Sequence, residues 1–382
     1  MREYALVFLV AAAVTYLLTV VAREIALRTG AVASVRDRDV HDEPIPYLGG
    51  LAMLGGLVAA YLVGRELPFL SDSGPFVFRD AGIVLVAGAM ICAVGVLDDL
   101  FEIDALSKLG GQVLAAGFLI VSGIQFTFFP QQDGSQFSLD PAQGALLTAV
   151  VVVATVNAVN FVDGLDGLAA GVVGIGALAF FVFSYQLAAI NDVTLATTGA
   201  FLSAALAGAC AGFLPHNFHP ARLFMGDSGS MLIGLVLSAS ALTLTTQFSG
   251  TEISQGAAGS QASLLPTLLP LLLPISILIV PMVDLLLAVV RRTRAGRSPF
   301  APDKQHLHHR LLEIGHSQRR AVFIMWLWAG LVAFGTVLAS LYTATWVWVS
   351  LAAATAFTIA LTFVLPVVHS PYRASHASHD EA

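Results

Sequence analysis

Apolar residues run in blocks of about twenty along most of the chain, and short polar stretches interrupt them. Blocks of that length cross a hydrocarbon core as helices, because the backbone there must hydrogen-bond to itself. Eleven can be drawn, at residues 4–26, 47–64, 81–98, 106–124, 143–161, 168–187, 195–214, 229–247, 264–290, 321–341 and 346–368. The pattern predicts an all-α polytopic membrane protein of about 11 transmembrane helices, with one membrane domain over 1–369 and a polar tail over 370–382. The first block reads as a retained helix. Only Arg2 precedes it, Glu3 follows at once, and it ends in Arg23-Glu24 without a small-residue cleavage pattern.

Charge then orients the blocks. With alternating sides, 15 of the Lys and Arg residues fall on one face and only Arg2, Arg65 and Arg79 on the other. The first face is therefore expected to be cytoplasmic, with the N-terminus outside and the C-terminus inside. The unusual polar clusters, Arg36 to Pro46, Asp98-Asp99, Asn157 to Asp166, His216 to Ser230 and Arg291 to Arg310, all fall on that cytoplasmic side. A transporter would carry polar groups nearer mid-membrane, reachable from both faces. Here they crowd one face, as an enzyme site would. The outer loops hold turn material, including Asp133-Gly134, a hairpin signal.

Length alone, 382 residues, would allow two soluble domains, but 57% hydrophobic and 11% charged residues exclude that. A net charge of -7 spread over loops gives no reason to expect a nucleic-acid partner. Cys92 and Cys210 lie inside apolar blocks and read as packing residues. The ninth block carries Pro266, Pro270, Pro274 and Pro281, which bend a helix and either open a lateral groove or merely kink it.

Four segments carry candidate chemistry. Asn157, Asn160, Asp163 and Asp166 recur every third residue, so on a continuous helix they would share one face. The other reading is a polar helix end facing water. Asp98 and Asp99 end the third block; adjacent residues point about 100° apart on a helix, so one can face a metal or phosphate while the other holds position. Lys108 follows and sets a cation near them. Gly226-Asp227-Ser228-Gly229 opens the eighth block. Its backbone N–H groups suit phosphate and its carboxylate suits a hard cation, or Asp227 or Ser228 simply caps the helix. Phe224 just before it is placed to stack on a base. His306, His308 and His309 follow a basic loop that includes Arg297; they suit pyrophosphate oxygens better than Zn²⁺, since no Cys completes a zinc site. So many aspartates beside cations at a lipid surface is equipment for phosphoryl transfer through a divalent ion, and no Walker sequence points to an ATP motor.

Together these segments resemble the polyprenyl-phosphate N-acetylhexosamine-1-phosphate transferases. The matching pieces are His41-Asp-Glu-Pro-Ile-Pro-Tyr-Leu-Gly-Gly, Asp98-Asp99, Asn157 to Ala169, Pro220 to Ser230, and Asp303-Lys-Gln-His-Leu-His-His. The muramoyl-pentapeptide branch carries three consecutive histidines; His-Leu-His-His is similar to the branch that uses UDP-N-acetylglucosamine. The resemblance implies a Mg²⁺-dependent enzyme (Mn²⁺ in its place) of the bacterial cytoplasmic membrane, with polyprenyl phosphate and UDP-N-acetylglucosamine as partners and a homodimer as its assembly. It implies Asp98, Asp99, Asp227 and His308 as catalytic residues, with Asp227 and Asp99 at the metal. Lys108, Asn160, Asp163, Asp166, Asn217, Phe224, Arg297, His306 and His309 would bind substrate. Where the family has Arg-Lys-x-His, this chain has Arg38-Asp39-Val40-His41 and lacks the lysine.

Overall fold

Backbone groups inside a bilayer find partners within their own segment, so apolar blocks become helices. A computed structural model describes residues 1–32, 44–130, 136–190, 196–245, 293, 316–342 and 344–363. Its helices are α1 (Arg2–Thr29), α2 (Gly49–Gly64), α3 (Pro68–Asp72), α4 (Pro75–Phe101), α5 (Ala105–Val121), α6 (Pro141–Val162), α7 (Leu168–Ile190), α8 (Thr197–Asn217), α9 (Gly226–Thr245), α10 (Gln318–Leu341) and α11 (Thr345–Phe363). Every block drawn from the sequence overlaps one of them except 264–290, which with its four prolines lies outside the described residues. Among the described residues eight helices are long and apolar enough to cross a membrane; α2 and α5 are apolar but shorter.

Two local departures have simple causes. Helix α4 begins at Pro75 rather than residue 81, because proline suits the first helical position and lengthens the helix toward the loop before it. The short α3 was not expected; Pro68 opens it, and the Glu3 carboxylate accepts its Phe69 and Leu70 N–H groups at 3.0 Å each. The expected hairpin is present as β1 (Phe128–Pro130) paired antiparallel with β2 (Gln136–Ser138), flanking the Asp133-Gly134 position.

Helix α9 is the axis of the bundle, packed by α4, α6, α8 and α2 and almost wholly buried, as is α8; α1 and α11 keep most of their side chains outward. Lipid tails are as apolar as leucine, so helices associate through close backbone approach rather than hydrophobic drive. Gly208 and Gly212 of α8 are such a pair: a Cβ on either would strike the backbone of α1, at Phe8 and Ala12. Buried hydroxyls on α9 are returned to its own carbonyls, Ser240 Oγ donating to Val236 at 2.7 Å and Thr243 Oγ1 to Ser240 at 2.8 Å. Cys92 and Cys210 are buried and free.

The contact that matters for the site is between α4 and the start of α9. A Cβ on Gly95 would lie 2.5 Å from the Asp227 carbonyl carbon and strike the Ser228 backbone. A Cβ on Gly50, at the start of α2, would strike the same turn from the other side. The first turn of α9 is thus pinched between two glycines. Gly95→Ala is expected to push that turn away, at a cost of about 1–3 kcal/mol, seen as a lower thermal-unfolding midpoint in detergent. Gly110→Ala is the control: nothing lies within 4 Å of that position, so its midpoint should hold or rise slightly.

Candidate active site

The site forms where the last turns of α4 and α6 meet the first turns of α5 and α9. Helix α4 ends just after its two aspartates, with Glu102 in the left-handed conformation (φ 48°) and its N–H on the Asp98 carbonyl at 2.8 Å. Asp104 then caps α5, accepting from Leu106 N, Ser107 N and Ser107 Oγ, and these bonds, the Ser107 hydroxyl's first, hold its carboxyl below the usual range. This tight reversal returns Lys108 to the end of α4. Its ammonium lies 2.6 Å from Asp98 Oδ2 and 2.9 Å from Asp227 Oδ2, bridging two helices.

Asp99 points elsewhere. Its Oδ1 accepts the Asp227 N–H at 2.8 Å and its Oδ2 the Ser228 N–H at 3.2 Å. The start of α9, expected to present bare amides to a phosphate, is already filled by this carboxylate. It is not capped by Asp227 or Ser228 either: Ser228 Oγ donates back to the Met225 carbonyl at 3.1 Å. Gly226 stands at φ 67°, a conformation glycine takes freely, and a Cβ there would lie 2.6 Å from Asp99 Oδ1.

The Asn-Asp series does not keep one face. Helix α6 ends at Val162, and Gly164 and Gly167 (φ 77°) turn the chain, so the four residues diverge. Asn157 exchanges amide contacts with Gln112 of α5, one turn inside the site. Asn160 Nδ2 donates to Asp227 Oδ1 and to Ser230 Oγ, each at 2.9 Å. Asp163 retains some exposure, yet enclosure by protein pushes its carboxyl up to about 8, and the charges of Asp227, Asp99 and Asp166 add to it. Asp166 is buried and turned away toward the 217–223 loop, accepting from the Ala221 N–H at 3.1 Å, with His219 Nδ1 at 2.8 Å. Asn217 is likewise buried, accepting the Gly167 N–H at 3.0 Å and donating to the Leu223 carbonyl at 3.1 Å. Both were expected to touch substrate; their observed bonds clamp one loop to the next.

Asp98, Asp99, Lys108, Asn160, Asp163 and Asp227 therefore converge, with Asp166 and Asn217 behind them. Phe224 is half-buried beside Tyr47, ring centroids 5.9 Å apart, and its N–H bonds to the Pro46 carbonyl at 2.9 Å. Arg297, His306, His308 and His309 lie outside the described residues. Sequence reasoning gave no role to Ser230 or His219, and it placed Gln112 one turn from Lys108 without seeing its partner Asn157. Ser230 was visible as one helical turn beyond Gly226.

Even with Asp163 largely protonated, three aspartates against one lysine leave this cluster short of positive charge among the described residues. Among the described residues no group of three or more His, Cys, Asp or Glu is arranged to hold a metal by itself. Mg²⁺ needs less: one or two carboxylates, with phosphate oxygens and water completing its octahedron. Asp227 and Asp98 fit, since a single cationic group, the Lys108 ammonium, already reaches both. Asp98 Oδ1 is buried with no hydrogen-bond partner among the described residues, a further acceptor in want of a cation or donor.

Comparison with known proteins agrees with this chemistry. The sequence profile of glycosyl transferase family 4 matches residues 81–245. The chain is 51% identical over 340 residues to the decaprenyl-phosphate N-acetylglucosaminephosphotransferase of Mycobacterium tuberculosis (strain ATCC 25618 / H37Rv), covering 88% of this chain and 82% of that protein. The same enzyme of Mycolicibacterium smegmatis is 47% identical over the same shares. The undecaprenyl-phosphate alpha-N-acetylglucosaminyl 1-phosphate transferase of Yersinia pestis is 27% identical over 87% of this chain and 83% of its own.

Proposed function

This chain belongs to glycosyl transferase family 4, and on that footing we propose that it transfers N-acetylglucosamine 1-phosphate from UDP-N-acetylglucosamine to a polyprenyl phosphate. The products are the polyprenyl diphosphate-linked sugar and UMP. The observation that carries the reading is the meeting of Asp98, Lys108, Asn160 and Asp227, drawn from four helices, at one end of the bundle. The site works at the cytoplasmic face of a bacterial inner membrane, in a chain of eleven spans with its N-terminus outside, as the 15-to-3 bias of Lys and Arg supports. The assembly is a homodimer.

An oxygen of the polyprenyl phosphate attacks the phosphorus that bears the sugar; the bond from that phosphorus to the UMP oxygen breaks, and its electron pair leaves with UMP. No strong base is needed, because a phosphate monoester with a second pKa near ~6 is largely dianionic at neutral pH. Asp98, paired with Lys108, orients rather than deprotonates the acceptor. Lys108 offers its positive charge to the reacting phosphates, and Asn160 holds the Asp227 carboxylate in place. Asp227 and Asp98 would hold Mg²⁺, or Mn²⁺ in its place; when bound, it neutralises charge on the diphosphate. Asp163 and Phe224 face the uridine nucleotide, with Asp166 and Asn217 shaping the loops that carry it. Arg297, His306, His308 and His309 bind the diphosphate and sugar.

The test is incorporation of labelled N-acetylglucosamine phosphate from the UDP-sugar into solvent-extractable lipid by the purified protein. Incorporation should require polyprenyl phosphate, stop when EDTA removes divalent ions, and return with Mg²⁺. UMP should form only when the lipid is present, since direct attack needs no carboxylate nucleophile; UMP released without lipid would mark a carboxylate such as Asp98, whose Oδ1 has no partner among the described residues, as the nucleophile. UMP release supported by UDP-N-acetylmuramoyl-pentapeptide instead would move the enzyme to the muramoyl branch.

A further inference from the structure

We infer that Asp99 is a positioning residue, a capping carboxylate lent by α4 that sets the first turn of α9 and, through it, the Asp227 side chain. This rests on the transfer reaction proposed above.

A helix start leaves its first N–H groups without partners, and the usual remedy is a side chain just upstream in the same chain. Helix α9 has no such local cap in its bonds: Gly226 has no side chain, and Ser228 Oγ turns back to the Met225 carbonyl. Its Asp227 and Ser228 amides go instead to the two oxygens of Asp99, 128 and 129 residues away in sequence. A carboxylate also complements the positive end of the helix dipole.

The fit is enforced on both sides. Gly95 lies one turn before Asp99 on the same face of α4, and its missing Cβ is what lets Ser228 come so close. Gly226 lacks the Cβ that would occupy the Asp99 carboxylate's place. Two close approaches and two hydrogen bonds thus fix α4 against the residue that carries the metal-binding carboxylate. Asp227 is then held at three points: its N–H by Asp99, Oδ1 by Asn160 and Oδ2 by Lys108. Asp98, turned away from its neighbour, is left to face Lys108 and Asp227. The adjacent aspartates divide the work, one at the reacting groups and one at the scaffold beneath them.

The experiment compares Asp99→Asn and Asp99→Glu with wild type and Asp227→Asn, each as full-length protein in detergent. Three readouts are taken: transfer kinetics, Mn²⁺ affinity by electron paramagnetic resonance, and amide hydrogen exchange over residues 226–230. For a cap, Asp99→Asn places an NH₂ against an amide N–H. It should lower kcat by about 10–100-fold and weaken Mn²⁺ binding by clearly less than Asp227→Asn does, while KM for both substrates stays near wild type. Exchange should quicken at 226–230 and hold elsewhere. Asp99→Glu keeps the charge but has no room beside Gly226, so it should do no better. A loss of Mn²⁺ affinity in Asp99→Asn as large as in Asp227→Asn would overturn the inference by making Asp99 a ligand. A rise confined to KM for polyprenyl phosphate would overturn it by making Asp99 a lipid contact. Full kcat in Asp99→Glu, or exchange that quickens throughout the protein, would overturn it as well. Wild-type protein that transfers no sugar phosphate would sink the proposed reaction instead, while the Mn²⁺ and exchange comparisons would still judge Asp99.

Discussion

Asp227→Ala in the full-length protein is expected to lower the transfer rate by about a thousandfold or more at saturating substrates. The reason lies in how many groups are arranged around this one carboxylate. Asn160 donates to Oδ1 and Lys108 to Oδ2, each at 2.9 Å, and the backbone beneath is held by Asp99. Without the carboxylate, among the described residues Lys108 keeps only Asp98, the Asn160 amide keeps only Ser230, and a divalent ion entering here would lose the ligand that the proposed reaction gives it. Asp227→Asn preserves volume and removes the negative charge, but it keeps one acceptor only and sets its NH₂ against the Asn160 amide or the Lys108 ammonium. It should be nearly as inactive as the alanine variant and lose Mn²⁺ binding with it. Initial rates and a Mn²⁺ titration check both statements, and activity above about a tenth of wild type in either variant would remove Asp227 from the metal.

Lys108→Met should move two quantities in opposite directions. The ammonium sits 2.6 Å from Asp98 Oδ2 and 2.9 Å from Asp227 Oδ2, so it neutralises the same oxygens that a divalent ion would take. The three side chains are at most 29% exposed, so water screens the attraction only in part. A metal ion entering this site competes with a tethered cation. Methionine keeps most of the stem and removes the charge, so Mn²⁺ should bind about tenfold tighter, a change of about 1.4 kcal/mol. Transfer should nevertheless fall by about 10²–10³-fold, because the positive charge offered to the reacting phosphates is gone. Weaker Mn²⁺ binding in the variant would mean that Lys108 supports the metal site rather than competing for it.

These expectations depend on contacts that differ in how far the chain foretold them. The helices were legible because the term that creates them is local. A run of apolar side chains in hydrocarbon obliges its own backbone to close hydrogen bonds at i and i+4, whatever lies elsewhere. The Asp98-Asp99 pair was legible in half: consecutive residues on a helix diverge, so one had to face the site and the other the scaffold. Which was which depended on the azimuth of α4 against α9, and that is set by Gly50, Gly95 and Gly226, far apart in sequence. The every-third-residue series through Asn157, Asn160, Asp163 and Asp166 misled because spacing counts only while a helix continues. Gly164 and Gly167 end it, and Asp166 turns to His219 and Ala221. Asn217 stood out in sequence for the same reason as the rest of its segment, but its use as a loop clamp appears only once Gly167 and Leu223 lie beside it. By itself the sequence determined the membrane helices, the polar groups at their ends and the family chemistry. Tertiary structure alone decided which oxygen meets which donor, because a buried carboxylate takes whatever N–H or ammonium the packing of distant helices brings within about 3 Å.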